Sequence, residues 1–377
     1  MASEDLLIVA GEASGDLHGG RLLSKLREAR PDLRPFGLGG DELQAAGLDA
    51  VAHSATISVM GISEALVILA EARRVFRRIL EEVDRRQPWV AVLIDFAEFN
   101  LRLAAALRRR GVKVVYYVSP QVWAWRVGRV RRIARDVERM LVLLPFEQAF
   151  YARHGVDAVH VGHPLVDEVA PRPQAWDCDP EPTQGPVISL LPGSRRSEID
   201  RLLPIMLAAA AEIRRRRPAR FRLIRAPAVP RELIDRHLAA SDATVQVEVV
   251  ERERFEALAD SHLALCASGT ATLEVGLLGT PMVIVYRVSF ASYLAGLLMV
   301  RLPWVSLVNL VLERRAVPEL LQGEATPRRI AEEAVELLGD PDRVRTMRGA
   351  LGELRDRLGP AGASSTAARE VLALLRR

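Results

Sequence analysis

Cysteine is nearly missing: 377 residues contain two, Cys178 and Cys266, far apart and beside no histidine cluster. That excludes a disulfide framework and leaves no zinc-ligand spacing, so no metal site is expected, and a reducing cytoplasm is the compartment expected. Lysine is almost as scarce. Lys25 and Lys113 are the only two among 52 basic residues, and 48 acids hold the net charge at +4. Abundant arginine without a large net charge suits an anionic ligand or an anionic membrane face better than a nucleic-acid track. Aromatic residues, at 5%, are too few for a surface that stacks bases, and no nucleic-acid motif is present, so no nucleic-acid partner is expected. A membrane-spanning run is missing too. The longest apolar stretch, Val288 to Val300, is about half a bilayer span and stops at Arg301 and Pro303. The opening "MASEDLLIVAGEASGD" has acids where a secretion signal would be basic.

What is present is ordinary globular material in a quantity too large for one core. The chain is 49% hydrophobic and 27% charged, and one hydrophobic core stops growing at roughly 250 to 300 residues. Short apolar runs alternate with amphipathic segments: "DLLIVAG", a helix from about His18 to Arg30, "RPFGLGG", "WVAVLIDF", a helix through "LRLAAALRRRG", then "KVVYYVS". Near-continuous apolar strands separated by helices specify a parallel sheet covered on both faces. "PRPQAWDCDPEPTQG" breaks the pattern with proline and acids, and a second series follows with "PVISLLPGS", "FRLIRAPA", "TVQVEVV", "LALCASGT" and "TPMVIVYRV". We therefore expect an α/β protein of two doubly wound domains, residues 1–168 and 187–345, joined by a linker at 169–186. Helices at 346–377 are expected to close the chain, packing back on the first domain or on a partner subunit. Ligands in such sheets bind beyond the carboxyl ends of the strands, so a cleft between those ends is expected to hold the chemistry.

Four loops carry candidate chemistry. In "ASGTATLEVGLLGTPMV" a strand leads into Ser268, Gly269 and Thr270 and then a helix, where free amides and hydroxyls would suit a phosphate and Glu274 a ribose diol; a capped helix with a dipole-matched acid fits equally well. "LLPGSRRSEI" repeats the arrangement with Gly193, Ser194 and the forked donor Arg195, without Walker A spacing. Two anion-suited turns in one domain favour a nucleotide diphosphate. "VAGEASGDLHGG" reads as a glycine turn whose Glu12 and Asp16 argue against a dinucleotide, and a plain tight connection fits better. "LIDFAEFN" ends a buried strand with Asp95 and continues to Glu98 and Asn100; the carboxylates of Asp95 and Glu98 could supply a general base, whereas a cap for the following helix fits Asn100 well and Glu98 poorly. Then "YYVSPQVWAWRVGRVRRIARDVERMLVLLPFE" places Trp123 and Trp125 before arginines at 126, 129, 131, 132 and 135, either a solvated basic helix or contact with a lipid surface.

Taken together, "VAGEASGDLHG", "GLGGDELQAAG", "VMGISEAL", "YYVSPQVWAWRVGRVRRI", "LPFEQAFY", "VGHPLVD", "LLPGSRRSEI", "ASGTATLEVGLLGTPMVIVYR" and "SLVNLVLERRAVPELLQ" resemble the lipid-A-disaccharide synthase family, in family order from residue 9 to 322. The resemblance implies a GT-B fold, no cofactor, and transfer of 2,3-diacylglucosamine from its UDP derivative to the 6-hydroxyl of 2,3-diacylglucosamine 1-phosphate with inversion at the anomeric carbon. The family's catalytic carboxylate falls in a segment usually written P-D-F-N. Here it reads "AEFN", so Glu98 stands at the aspartate position and Asp95 is retained beside it. The resemblance also implies that Gly193, Ser194, Arg195, Ser268, Gly269, Thr270, Glu274, Asn309 and Gln322 bind UDP, and that Glu12, Ser14, Gly15 and Asp16 line the acceptor side. A peripheral position on the inner face of the inner membrane is implied, with Met60, Ile62, Leu66, Val67, Arg77, Arg78, Trp123, Trp125 and Arg126 as the residues that would meet phospholipid, although packing of Met60, Ile62, Leu66 and Val67 in the core fits their spacing equally well; a homodimer is compatible with it. The rival enzyme readings are a UDP-GlcNAc 2-epimerase or the peptidoglycan glycosyltransferase, set apart by the W-A-W-R run. A nucleic-acid module is the non-enzymatic one.

Overall fold

The computed structural model describes residues 4–57, 65–125, 127–173, 176, 185–242, 245–289 and 302–375. Met60, Ile62 and Arg126 lie outside them, as do the side chains of Leu66, Val67 and Trp125 and most of the apolar 288–300 stretch.

The chain forms two compact units, Met1–Pro164 with Gly359–Arg377, and Leu165–Leu358. In the first, strands β1 (Asp5–Ala10), β2 (Arg34–Gly39), β3 (Asp49–His53), β4 (Val90–Ile94), β5 (Lys113–Tyr117), β6 (Arg139–Val142) and β7 (Ala158–His160) make one sheet in the order β3-β2-β1-β4-β5-β6-β7. Every pairing in it is parallel. In the second unit β8 (Val187–Leu191), β9 (Arg220–Ile224), β10 (Val247–Val250), β11 (Leu263–Ala267), β12 (Met282–Tyr286) and β13 (Glu319–Leu321) pair in the order β10-β9-β8-β11-β12-β13, again all parallel. Both sheets reverse direction once, between β1 and β4 and between β8 and β11. In open α/β sheets those reversals are where ligands bind.

The first sheet shows why its strands read as continuous apolar runs. Successive residues of β1 point to opposite faces. Leu7 and Val9 join a core with Val75, Ile79 and Val83 of the helix Ala65–Arg86, while Leu6 and Ile8 join one with Leu22 and Leu26 of the helix Ala13–Ala29. That second core is completed by Val371, Leu372 and Leu375 of the helix Ala363–Leu375. The division differs from the expected boundaries at both ends. The helix Leu165–Glu168 belongs with the second unit, and so does Pro341–Arg357, whose Arg355 donates to the carbonyls of Val166 and Val169. Only the last helix returns to the first unit.

Candidate functional site

The carboxyl end of β4 carries two consecutive residues in an uncommon backbone conformation. Asp95 and Phe96 both take left-handed conformations, with φ of 46° and 49°, a geometry that costs non-glycine residues roughly 1–3 kcal/mol each and persists only where the surroundings hold it. They do here: Tyr116 Oη donates to the Asp95 carbonyl at 2.5 Å, and Asn100 Nδ2 donates to the carbonyls of Ile94 and Asp95 at 3.1 and 2.9 Å. Asn100 is thus no helix cap. It is buried inside the helix Ala97–Arg108 and braces the strand end before it. The turn presents Asp95 at the switch point, facing the end of β1. Burial pushes its carboxyl up to about 6, and the negative charge of Glu12 adds to the rise.

Glu98 has a different environment. It lies in the first turn of the helix Ala97–Arg108, its side chain is 65% exposed, and it is ion-paired with Arg129. Arg129, in the single helical turn Val127–Arg129, is thereby set apart from the other arginines of the basic run, for which the sequence suggests only solvent or lipid. The glycine segment at the end of β1 is a helix from Ala13 onward, not the turn expected up to His18. Its glycines serve close packing: a Cβ on Gly19 would lie 2.9 Å from Leu43 Cδ1, and one on Gly20 2.9 Å from the Glu42 carbonyl oxygen. Glu12 and Ser14 are exposed and Gly15 is buried. Asp16 is a correction. Its carboxylate accepts from the amides of Gly40, Leu43 and Glu42 at 2.6, 3.2 and 3.0 Å, so it is buried and engaged in capping the helix Asp41–Ala45 rather than turned to an acceptor.

Trp123, expected at a lipid surface, is half-buried. Its indole N–H donates to Glu147 Oε1 at 2.9 Å and its ring meets Phe146 edge-on, so its polar edge is satisfied inside the protein. Burial pushes Glu147 up to about 7. Near the ends of β5 and β7 lies a histidine group also unforeseen: burial pushes His163 down to about 4, with His18 and His160 adding to the effect. Such groupings could be found from sequence only by knowing that the ends of β4, β5, β6 and β7 converge.

In the second unit the turn after β8 holds Gly193 at φ 114°, where a Cβ would meet Glu198 Oε2 at 2.4 Å. The reason is that Glu198, in the first turn of the helix Arg196–Arg216, folds back: its Oε2 accepts from the amides of Ser194 and Arg195 at 2.9 and 3.2 Å, and its Oε1 from the Arg195 guanidinium at 3.1 Å. A carboxylate of the chain itself sits on the donors expected to meet a phosphate. After β11, Gly269 has open space around it, Thr270 is exposed, and Ser268 Oγ donates to the Val305 carbonyl at 2.9 Å. Glu274, whose side chain is 16% exposed, accepts from Arg254 at 3.2 Å; burial raises its pKa, against the pull of Arg254. Gln322 has φ 48° and a buried amide nitrogen with no hydrogen-bond partner among the described residues.

Asn309 does not join this group. Fully buried, it donates to the Val317 carbonyl and Glu319 Oε1 at 2.9 and 2.8 Å and accepts from the amides of Ala316 and Val317 at 2.8 and 3.0 Å. Both amide hydrogens and both oxygen lone pairs are spent. It locks the turn before β13, and the expected contact with UDP has no atom left to make it.

Among the described residues no group of histidines, cysteines and acids is placed to hold a metal, and no helix is long and apolar enough to cross a membrane. Known structures of this fold include CalG4, the calicheamicin glycosyltransferase, with a TM-score of 0.61 at 19% identity, covering 100% of this chain and 99% of that one. The UDP-GlcNAc 2-epimerase of Neisseria meningitidis bound to UDP-GlcNAc matches with a TM-score of 0.62 at 12% identity, covering 99% and 100%. The architecture is GT-B, two Rossmann-like halves of a glycosyltransferase. Sequence relatives are nearer. The lipid-A-disaccharide synthase of Anaeromyxobacter sp. (strain K) is 45% identical over 99% of this chain and 98% of its own length, and that of Myxococcus xanthus is 46% identical over 98% and 97%. With the family pattern of lipid-A-disaccharide synthetase matching residues 6–368 as well, the chain belongs to the lipid-A-disaccharide synthase family.

Proposed function

We propose that the protein transfers 2,3-diacylglucosamine from its UDP derivative to 2,3-diacylglucosamine 1-phosphate, and that Asp95 is the general base. The acceptor 6-hydroxyl gives its proton to Asp95 as its oxygen bonds to the anomeric carbon; on the opposite face the bond from that carbon to the diphosphate breaks, leaving UDP and an inverted, β-linked disaccharide 1-phosphate. The single observation that carries this reading is the Asp95 turn: a carboxylate at a switch point, held in a left-handed pair and tuned to about 6. A base works best when its pKa lies near the working pH. Glu98, exposed and engaged by Arg129, is the weaker candidate despite standing at the family's aspartate position.

On the donor side the reading gives Arg195 and the Gly193–Ser194 turn to the diphosphate, Glu274 to the ribose, and the free amide of Gln322 to an oxygen of the nucleotide. Bare amides and a guanidinium at the start of a long helix neutralise a leaving group as its charge grows. Glu198 must first release those donors, so UDP binding and the self-capped turn are alternatives. The acyl chains keep both substrates in a bilayer, since each buried CH₂ is worth about 0.8 kcal/mol. The protein therefore docks peripherally on the inner face of the inner membrane. The exposed arginines 73, 74, 77 and 78 of the helix Ala65–Arg86 support that docking.

The test is incubation with both acylated sugars in mixed micelles, following UDP release and the disaccharide 1-phosphate by mass spectrometry. Product that needs both substrates is expected. UDP release without the acceptor, or interconversion of UDP-GlcNAc epimers, would remove the reading in favour of another GT-B activity.

A further inference from the structure

The run "SPQVWAWRVGRV" has no part in the proton transfer or the diphosphate binding set out above, yet the acid it closes on is among the most enclosed in the protein. Glu147 is 3% exposed. One carboxylate oxygen accepts from the Trp123 indole at 2.9 Å; the other accepts from the Leu144 amide at 3.0 Å, closing the start of the helix Pro145–Ala152. The same helix grips the run at two further points. Phe146 meets the Trp123 ring edge-on with centroids 4.9 Å apart, and Tyr151 Oη lies 2.7 Å from Ser119 Oγ. The segment is entered through Val118 at φ 64°, a conformation a β-branched residue adopts only when its surroundings impose it. At its far end the turn Val127–Arg129 delivers Arg129 to Glu98, three residues beyond Asp95 in the chain.

A buried carboxylate is a costly way to fill space, because it must be desolvated, and an apolar residue of similar volume packs as well. What the carboxylate adds is direction: one oxygen takes the indole N–H while the other is anchored on the Leu144 amide, so the indole is held in one orientation relative to the helix Pro145–Ala152. We propose that Glu147 is a positioning residue which, through Trp123, fixes the chain entering the Val127–Arg129 turn so that Arg129 stands on Glu98, three residues beyond Asp95. The inference rests on the reading that the Asp95 turn is the reaction centre. Arg129 contributes a fixed positive charge next to the acids at the end of β4, and Glu147 determines whether that charge is in place.

The experiment is a set of cycles on the full-length protein with both acylated substrates. Glu147→Gln keeps the volume but turns an N–H₂ group toward one of the two donors, and kcat is expected to fall about 3- to 10-fold. UDP affinity by calorimetry should stay unchanged, since the nucleotide turns lie in the other unit. The deciding measurement is Arg129→Gln, made both in the wild type and in Glu147→Gln. If Glu147 acts through Arg129, the second substitution lowers kcat in the wild type and does little in the variant. Trp123→Phe, which breaks the same link, should behave as Glu147→Gln does and carries the cycle should that variant not fold. A ¹⁵N indole spectrum, with the Trp123 signal assigned from Trp123→Phe, should show that signal shifted in Glu147→Gln. Wild-type kcat in a folded Glu147→Gln, or effects of Glu147 and Arg129 that multiply, would overturn the proposal. Should substitutions of Asp95 and Glu98 both leave kcat intact, the reaction-centre reading itself would fail, an outcome separate from an additive cycle.

Discussion

Asp95 and Glu98 are three residues apart, and their surroundings give them opposite energetics. Asp95 is charged at neutral pH only against the cost of burial and the nearby Glu12. Its native pKa, about 6, lies above the ordinary aspartate value of 3.8, so the native state binds that proton more tightly. This contribution is complete below about pH 4 and is lost as pH rises through about 6. Asp95→Asn removes the charge, and at pH 8 it should stabilise the protein by on the order of 2 kcal/mol relative to wild type, with little difference at pH 4. Turnover should fall by about two to four orders of magnitude. Glu98→Gln, at an exposed ion pair, should change stability by less than about 1 kcal/mol and turnover by less than about tenfold. Urea unfolding at the two pH values and steady-state rates check both. Collapse of turnover in Glu98→Gln with near-normal turnover in Asp95→Asn would return the base to the family's position. His163 works in the other direction: its pKa is held near 4, so stability falls as pH drops through 6.5 toward 4.

At the scale of elements, much was legible. Both series of βα units, the strand ends that carry Asp95 and Gly193, and the turn at Ser268 follow from apolar runs that stop at glycine, serine or acid. What failed were readings of polar and small side chains whose partners come from elsewhere. The glycines of "EASGDLHGG" read as a turn, but the helix Ala13–Ala29 uses the lack of side chains at Gly19 and Gly20 to lie against Leu43 and Glu42. Asp16 and Asn309 read as ligand groups because sequence does not distinguish a saturated polar side chain from a free one. The helix Ala65–Arg86 is amphipathic in its second half: Val75, Ile79 and Val83 are buried while Arg73, Arg74, Arg77 and Arg78 face solvent. Those arginines yield a prediction. Flotation with anionic vesicles at low salt should recover wild type and lose most of Arg77→Glu/Arg78→Glu, with both released at high salt. Equal flotation of the folded variant would move docking off this helix.

At the scale of the whole molecule, the chain crosses between its units twice, and the second crossing has a thermodynamic consequence. The helix Ala363–Leu375 buries Ala367, Val371, Leu372 and Leu375 against the layer that includes Leu22 and Leu26, and Arg139 of β6 ion-pairs with Glu370 at 2.7 Å. The first unit is therefore built from both ends of the sequence, with residues 165–358 forming an insertion within it. Each large apolar side chain buried in that helix contributes roughly 1.5–3 kcal/mol, which together is comparable with the 5–15 kcal/mol net stability of a typical domain. A stop after Leu358 should accordingly leave the second unit folded and UDP-competent while the first unit loses protection. Hydrogen exchange should show fast exchange in β1 and β4 of the truncated chain, with β8 and β11 still protected, and calorimetry should show UDP affinity within about threefold of wild type. Adding a peptide of residues 359–377 should restore protection to β1 in a concentration-dependent way. Slow exchange in β1 and β4 of the truncated chain would show that residues 1–164 fold without the returning helix, and the closing segment would then have to be explained by something other than stability.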